Sequence, residues 1–351
     1  MKNFIKLMIS CLVVILSFFI CFDNAKLGIC FTGQGVKING IVNDFIEKIP
    51  EISNEYTKLK QLINVTDDEI LTGKDIDLFT NGKAQASLVV VQSLIFKAIN
   101  ILTPGLHFDC VVGQSLGNYT ALFAAGGIEL NELLAFIKMR DKLSIDLSKK
   151  SQKLYSMLVL KNIDMNTLRQ YVNNQTIFIA GLNTPSCFTV SGLKNEIQIV
   201  KAKLQKNIPG IWVLELNTAT PFHTPLMLEL VEKLWKVFPI RHKLKKTIIS
   251  DATGHEHNSI DDFDKGWLRY QLTSSMKWSG EDGVCNKIKK RKLTHLIIVG
   301  DGQGLANMLK ENISDINVYI INTVDQLHKF ANDIKTYNSI KSKITRLFRI
   351  H

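Results

Sequence analysis

Short apolar runs alternate along the chain with longer amphipathic stretches, and this alternation predicts an α/β fold. The strand-length apolar runs are Leu27–Phe31, Phe108–Val112, Thr176–Ile179, Cys187–Val190, Lys246–Ser250 and His295–Val299. The helix-length amphipathic stretches include Ala86–Ile101, Asn118–Ala125 and Leu130–Leu147. Strands separated by helices in this way predict a sheet that is largely parallel.

A different order of elements is predicted for residues 151–216. This stretch contains, in turn, Tyr155–Leu160, a helix after Asp164, two short strands around Gly181, a helix over Asn195–Gln205, and a strand over Trp212–Leu216. The resulting βαββαβ order predicts a small ferredoxin-like subdomain inserted into a larger α/β body. We assign residues 25–150 and 217–325 to the body, 151–216 to the subdomain, and 326–351 to a C-terminal helical tail.

The first 24 residues are predicted to be a targeting leader. Lys2 and Lys6 precede the mostly apolar run Leu7–Phe22. At 16 residues this run is short for a bilayer span and typical of a signal-peptide core. We expect the leader to direct the chain into the secretory pathway and to be cleaved; a signal anchor is the alternative.

Composition narrows the function classes. The 351-residue chain is 46% hydrophobic, which allows a large core, and its six cysteines show neither CxxC pairs nor Cys/His ligand spacing. The net charge of +11 favours an acidic partner. Nucleic acid is disfavoured because the basic runs lack interleaved aromatic residues. The candidate docking patches are His242–Lys246 and Lys287–Lys292; a solvated lysine-rich surface is the alternative.

The pattern Gly113-Gln114-Ser115-Leu116-Gly117 follows an apolar strand and precedes a helix. Gly-x-Ser-x-Gly in this setting is typical of a nucleophile elbow, in which a sharp turn exposes the serine hydroxyl. The two glycines allow the turn, and the helix N-terminus favours developing negative charge. Ser115 is therefore the candidate nucleophile of an acyl-transfer or hydrolytic enzyme.

Several ordered blocks extend this pattern across residues 26–310. They are Phe31-Thr32-Gly33-Gln34-Gly35, the elbow, Arg140, Pro221-Phe222-His223-Thr224-Pro225-Leu226-Met227, Gln271–Trp278 and Gly300–Leu305. In this order they resemble the malonyl-CoA:acyl-carrier-protein transacylases of fatty-acid and polyketide synthesis. The resemblance implies an α/β-hydrolase-like body with a ferredoxin-like subdomain. It also implies malonyl transfer to the phosphopantetheine thiol of acyl carrier protein, without a metal or redox cofactor. We expect a monomer that does not bind a membrane.

The resemblance assigns roles to the reacting groups. A serine hydroxyl needs an adjacent base, and His223 alone among the histidines lies in a matching block. The family pattern implies that the backbone amides of Gln34 and Leu116 form the oxyanion hole. It also implies that the backbone carbonyl of Gln271 orients the histidine, so that the Gln271 side chain is replaceable.

Arg140 separates a transferase for dicarboxylic half-esters from a hydrolase of neutral esters, because a guanidinium binds a carboxylate bidentately. The family pattern also places Gln85 in the pocket lining and Asn183 near the acyl group. Phe222 matches the bulky residue associated with malonyl rather than methylmalonyl units.

The chain departs from the family pattern at four positions. Gln114 stands where histidine is the commonest residue, Asn118 where glutamate is usual, Cys187 where glutamine is usual, and Asp301 where proline is usual. Two alternatives therefore stay open. One is a serine esterase or thioesterase, which would need a carboxylate between Ser115 and His223 in chain order. The other is a non-catalytic relic that binds the carrier protein.

A secretory leader on a carrier-protein acyltransferase predicts an organelle such as an apicoplast-type plastid.

Overall fold

The computed structural model of the protein describes residues 25–348 except residues 39, 68–69, 72–82, 152–153, 217, 219 and 240. The predicted leader, residues 1–24, and residues 349–351 at the end of the predicted tail lie outside the described residues. All statements below on structure refer to the described part of the chain.

Strands and helices alternate through most of the described chain. The strands are β1 (Leu27–Phe31), β2 (Cys110–Gly113), β3 (Tyr155–Lys161), β4 (Ile177–Thr184), β5 (Cys187–Leu193), β6 (Trp212–Leu216), β7 (Thr247–Ser250), β8 (His255–His257), β9 (Met276–Lys277), β10 (His295–Val299) and β11 (Asn317–Ile321). The α-helices are α1 (Asn43–Lys48), α2 (Pro50–Ile63), α3 (Ala84–Leu102), α4 (Gly117–Ala124), α5 (Leu130–Ser151), α6 (Met165–Arg169), α7 (Lys194–Asn207), α8 (Leu228–Trp235), α9 (Lys265–Thr273), α10 (Val284–Arg291), α11 (Gln303–Asn312) and α12 (Val324–Phe348).

The body is built on a six-stranded sheet in the order β11-β10-β1-β2-β7-β8. All neighbouring strands are parallel except the edge strand β8, which is antiparallel to β7. The sheet is covered on both faces: Ile29 and Ile297 pack into one apolar cluster, and the adjacent Cys30 and Ile298 pack into another. This confirms the predicted α/β class and explains why the strands read as continuous apolar runs.

Helix α3 is the most apolar helix of the body. By length and composition it could cross a membrane, but 72% of its most apolar stretch is buried inside the protein. Residues on all of its faces, from Ala84 to Ile99, contribute to the core. Such burial is typical of a central helix in a soluble fold, and the finding is weak evidence for a membrane span.

The inserted segment forms a second sheet in the order β6-β3-β5-β4 with antiparallel neighbours. Helices α6 and α7 pack against one face of it around Leu158, Val190 and Leu204. The order of strands and helices is βαββαβ. The Asp164 side chain accepts the Thr167 amide at 3.0 Å and so sets the start of α6.

The predicted domain boundary is incomplete at one point. Strand β9 lies in the stretch assigned to the body, yet it pairs in parallel with β4 as a fifth strand of the small sheet. The same segment also binds the body, because the Lys277 amide donates to the Asp251 carbonyl at 2.8 Å. A segment that is distant from the insert in sequence therefore joins the two sheets. Neither the periodicity of apolar residues nor the composition reveals such a pairing.

Candidate active site

Ser115 lies on a strained turn between β2 and α4. Its φ is 49°, in the left-handed region that residues with a Cβ rarely adopt. Its side-chain oxygen lies 2.6 Å from Nε2 of His223. The predicted elbow is therefore present, with the hydroxyl at the carboxyl end of a central parallel strand.

Both elbow glycines are required by close backbone approach. A Cβ on Gly113 would lie 2.4 Å from the backbone of Asn118, and one on Gly117 would lie 2.1 Å from the carbonyl oxygen of Phe31. Any larger residue would push α4 away from β1 and β2. The glycines thus fix the position of the Ser115 hydroxyl by allowing helix and strands to pack.

His223 is buried and is also held in a left-handed conformation, with φ of 61°. Its amide donates to the carbonyl of Leu272 at 3.0 Å, and Nδ1 lies 3.3 Å from the carbonyl oxygen of Ser274. A carbonyl only accepts, so Nδ1 carries the proton and Nε2 is the acceptor that faces Ser115. Burial, with the nearby Arg140 charge as a second cause, lowers the pKa of His223 to about 4. The ring is neutral at physiological pH, as a general base requires.

The prediction that the backbone carbonyl of Gln271 orients His223 is wrong. The carbonyl that faces His223 belongs to Ser274, three residues later. Gln271 lies inside α9, whose carbonyls point along the helix axis, whereas Ser274 follows the helix in extended conformation. The Gln271 side chain is buried, and its Nε2 donates to the Ser115 carbonyl at 2.6 Å. Its side chain, expected to be replaceable, thus holds the nucleophile.

Arg140 lies in α5 and is only 1% exposed. Its Nη1 donates to Gln85 Oε1, and its guanidinium carbon lies 4.4 Å from the centre of the Phe222 ring. Within the described chain its Nε has no hydrogen-bond partner and no carboxylate forms an ion pair with it. A buried guanidinium with an unused donor favours an anionic ligand at this point.

Asp141 was not predicted to contribute. Its Oδ1 accepts Gln85 Nε2 at 2.9 Å, and Gln85 in turn accepts from Arg140. Burial raises the pKa of Asp141 to about 6. The available sequence signal was an acidic residue directly after Arg140. Gln85 and Phe222 both contact Arg140. Their roles in binding the acyl group stay predictions.

The Gly33–Gly35 loop packs against the elbow. A Cβ on Gly33 would lie 3.2 Å from the Ser115 Cβ, and the Gly33 amide donates to Gln114 Oε1 at 3.2 Å. Within the described residues, the amides of Gln34 and Leu116 donate to no protein acceptor. Two free N–H groups on either side of the nucleophile are the arrangement that an oxyanion hole needs.

Asn183 forms its hydrogen bonds with residues other than these side chains. It lies on β4, where its Nδ2 donates to Thr189 Oγ1 at 2.9 Å, and its carbonyl accepts from Asn312 at 2.8 Å. No hydrogen bond among the described residues joins it to Ser115, His223 or Arg140. Its proposed place near the acyl group stays a prediction.

The most informative missed residue is Asp251, which directly follows β7. It is fully buried, and its Oδ2 accepts the Ser115 backbone amide at 2.8 Å. Burial raises the pKa of Asp251 to about 6. Since the strand Lys246–Ser250 was predicted, a polar residue at its carboxyl end in a parallel sheet was the available signal.

The two basic patches lie on the opposite side of the large sheet from Ser115, at the end where its parallel strands begin. Residues 242–246 lead into the start of β7 and residues 287–292 lead towards the start of β10, whereas Ser115 follows the end of β2. Two of the basic side chains also bind within the protein. Lys246 donates to the Phe108 carbonyl, and Arg291 forms an ion pair with Glu256. The role of both runs in docking the carrier stays a prediction, and a sheet about 15 Å deep lies between them and the nucleophile.

No family model matches the chain. The chain is 26% identical over 327 residues to the malonyl CoA-acyl carrier protein transacylase of Buchnera aphidicola, covering 87% of this chain and 97% of that protein. It is 23% identical over 310 residues to the transacylase of the same name from Bacillus subtilis, covering 82% and 90%. The solved malonyl-CoA:acyl carrier protein transacylase of Helicobacter pylori superposes with a TM-score of 0.80 at 18% identity over 90% of this chain and 100% of that one.

The chain is similar over most of its length to malonyl-CoA:acyl-carrier-protein transacylases and shares their fold. The similarity extends over nearly the full length of these proteins and therefore includes both the body and the inserted subdomain. Among the described residues no group of three or more His, Cys, Asp or Glu side chains is placed to hold a metal ion.

Proposed function

We propose that the protein transfers the malonyl group from malonyl-CoA to the phosphopantetheine thiol of acyl carrier protein. The observation that carries this proposal is the buried Arg140 guanidinium beside a Ser115–His223 pair. It would bind the free carboxylate of the malonyl group while the thioester end lies at the serine. A solved relative is described as an acyl-carrier protein in complex with its malonyl-transacylase, which supports the same partner here.

In the first step Ser115 Oγ attacks the thioester carbonyl carbon, and its proton passes to Nε2 of His223. The amides of Gln34 and Leu116 donate to the oxyanion of the tetrahedral intermediate. The carbon–sulfur bond then breaks, His223 protonates the CoA thiolate, and a malonyl ester remains on Ser115. In the second step the carrier thiol gives its proton to His223 and attacks this ester. Ser115 takes the proton back as the carbon–oxygen bond breaks.

The geometry favours this reaction over the hydrolase alternative. His223 Nδ1 faces a backbone carbonyl, and no described carboxylate bonds to the ring. A Ser–His–Asp hydrolase would place a carboxylate at that point. The relic alternative is disfavoured because the serine, the base and the arginine are all present in one connected site.

The proposal is tested by intact mass of protein lacking residues 1–24, mixed with malonyl-CoA and then with acyl carrier protein. We expect a malonyl adduct that is absent in Ser115→Ala and that moves onto the carrier. An adduct released only to water would instead establish a hydrolase. No adduct from folded protein would establish a relic.

We propose that the acidic carrier approaches the edge of the sheet at which Ser115 lies. Lys37 is exposed there, three residues after Gln34, whereas Lys289 and Lys290 are exposed at the opposite edge. Lys37→Glu is expected to raise the KM for the carrier by about threefold to tenfold at low salt, because a rim charge acts on association. The matched double variant Lys289→Glu/Lys290→Glu is expected to change it less than twofold. Equal effects of the two changes would contradict this approach.

We propose further that residues 1–24 deliver the enzyme to an organelle reached through the secretory pathway, such as an apicoplast-type plastid. The support is the basic start followed by the apolar run Leu7–Phe22. A fluorescent protein fused after residue 24 would be imaged in the organism that makes this chain. A cytosolic signal would contradict the assignment.

A further inference from the structure

A buried carboxylate lies beneath the nucleophile elbow. Asp251 Oδ2 accepts the backbone amide of Ser115 at 2.8 Å and the indole Nε1–H of Trp278 at 3.1 Å. Its Oδ1 accepts Nδ2 of Asn118 at 2.6 Å. No ion pair to Asp251 is found in the described chain, so its three partners are neutral donors held by the fold.

Asn118 and Gln271 hold the other side of the same residue. Asn118 Nδ2 also lies 3.1 Å from the Ser115 carbonyl oxygen, which accepts from Gln271 Nε2 at 2.6 Å. Both backbone polar groups of Ser115 are therefore bound by buried side chains. Asn118 and Gln271 come from two helices, α4 and α9, and Asp251 follows strand β7.

These hydrogen bonds stabilise an unfavourable backbone conformation, because Ser115 is not glycine and has φ of 49°. A residue with a Cβ stays in this conformation only where its surroundings determine it. The Asp251 bond also occupies the Ser115 amide. The oxyanion donors are then restricted to Leu116 and Gln34, whose amides stay free among the described residues.

We propose that Asp251 and Asn118 act as a pair of positioning residues for the nucleophile, one supplying the carboxylate and the other the amide that fix the Ser115 backbone. The inference rests on the proposed function only in taking Ser115 as the nucleophile. The sequence pattern of the family has an acid at position 118. In this chain position 118 is an amide, and a carboxylate reaches it from the end of β7.

The pair is tested by exchanging its two chemical groups. Asp251→Asn leaves two amides facing each other, and Asn118→Asp leaves two carboxylates at hydrogen-bond distance. The double variant Asn118→Asp/Asp251→Asn restores one carboxylate and one amide with the same side-chain lengths. Asp109→Asn is the matched control, since Asp109 Oδ2 accepts the Leu27 amide at 2.7 Å at the opposite edge of the same sheet.

The readouts are the rate and KM of Ser115 acylation by malonyl-CoA, the rate of acylation by p-nitrophenyl acetate, and the melting temperature. We expect each single variant to lower the acylation rate by about tenfold or more with KM unchanged, because Arg140 makes no bond to Asp251. The double variant is expected to return to within about threefold of the wild type. Asp109→Asn is expected to lower the melting temperature but not the rate.

Two outcomes would overturn the inference: a double variant no faster than the slower single variant, or Asp251→Asn with the wild-type rate. Rescue of the rate is required even where the single variants are less stable. The neutral ester needs only the serine and its base. Failure of malonyl transfer with normal acetylation would therefore count against the proposed function and leave the pair to be judged by the acetylation rates.

Discussion

Replacing His223 by alanine is expected to slow formation of the malonyl-Ser115 ester by about 1,000-fold, because general base catalysis contributes on the order of 10²–10⁴. His223 Nε2 lies 2.6 Å from the Ser115 oxygen. In the proposed mechanism it accepts the Ser115 proton in the first step and the carrier thiol proton in the second. Rapid-quench intact mass of the first turnover measures the change. His257→Ala is the matched control, since His257 is also buried but contacts Thr253 in the body. A loss of less than about threefold in His223→Ala would remove this residue from the mechanism.

The pH profile of the wild-type enzyme gives a second check on His223. Its pKa of about 4 keeps Nε2 unprotonated at pH 5, so protonation of the histidine should lower the acylation rate only near pH 4, below any decline near pH 6 that comes from Asp251. Its folded pKa lies below its unfolded value, so its contribution to stability is present above pH about 6.5 and is lost as the pH falls through about 4. Melting temperatures at each pH must therefore accompany the rates. A decline centred near pH 6.5 that persists in folded Asp251→Asn, which has no carboxylate at this position, would contradict the buried, neutral histidine.

Replacing Arg140 by alanine is expected to lower kcat/KM for malonyl-CoA by about 1,000-fold while acetyl-CoA reacts as well as before or better. Truncating one partner of a buried charge pair costs about 4 kcal/mol, which corresponds to about 1,000-fold. The neutral acetyl group has no carboxylate to lose. The Arg140 charge helps to lower the pKa of His223. The decline of the acylation rate at low pH should therefore move to higher pH in this variant. The ratio of the two substrates, measured by competition, checks the prediction.

Two further variants control for indirect effects of Arg140. Arg140→Lys keeps the charge but loses the bidentate geometry, and we expect only partial recovery. Arg241→Ala removes an exposed arginine whose Nη1 donates to the Phe263 carbonyl at 3.2 Å, and it should leave the substrate ratio unchanged. If malonyl-CoA and acetyl-CoA fall by the same factor in Arg140→Ala, the arginine is a structural residue and does not select the substrate.

The parts of the site that lie in one continuous segment could be predicted from the sequence. The elbow around Ser115 is a local turn, and its two glycines are visible because the backbone contacts they allow involve the segment itself and its neighbour β1. The large sheet was predictable for the same reason, since each buried strand, such as Leu27–Phe31, is a short apolar run. His223 and Arg140 were found only through the resemblance, because nothing local marks them as partners of Ser115.

The parts that depend on three-dimensional packing could not be predicted. Whether Gln271 or Ser274 supplies the carbonyl for His223 depends on where α9 ends, and helix ends are uncertain by one or two residues. Asp251 reaches Ser115 only because β7 pairs with β2. Whether the basic runs contact the carrier also depends on the side from which the carrier approaches the sheet, and the sequence does not give that side. In each case the missing information was the relative position of segments far apart in the chain.

The strand β9 segment changes what counts as a separable part of this enzyme. The Ser274 carbonyl accepts from His223 Nδ1, Ser275 Oγ donates to the Ile179 carbonyl at 2.5 Å, and the Lys277 amide donates to the backbone carbonyl of Asp251. A chimera that exchanges residues 151–216 alone would bring a new β4 against the old β9. Grafting this insert between relatives should therefore succeed only when residues 274–279 are carried with it, so that the unit of exchange is discontinuous in the gene.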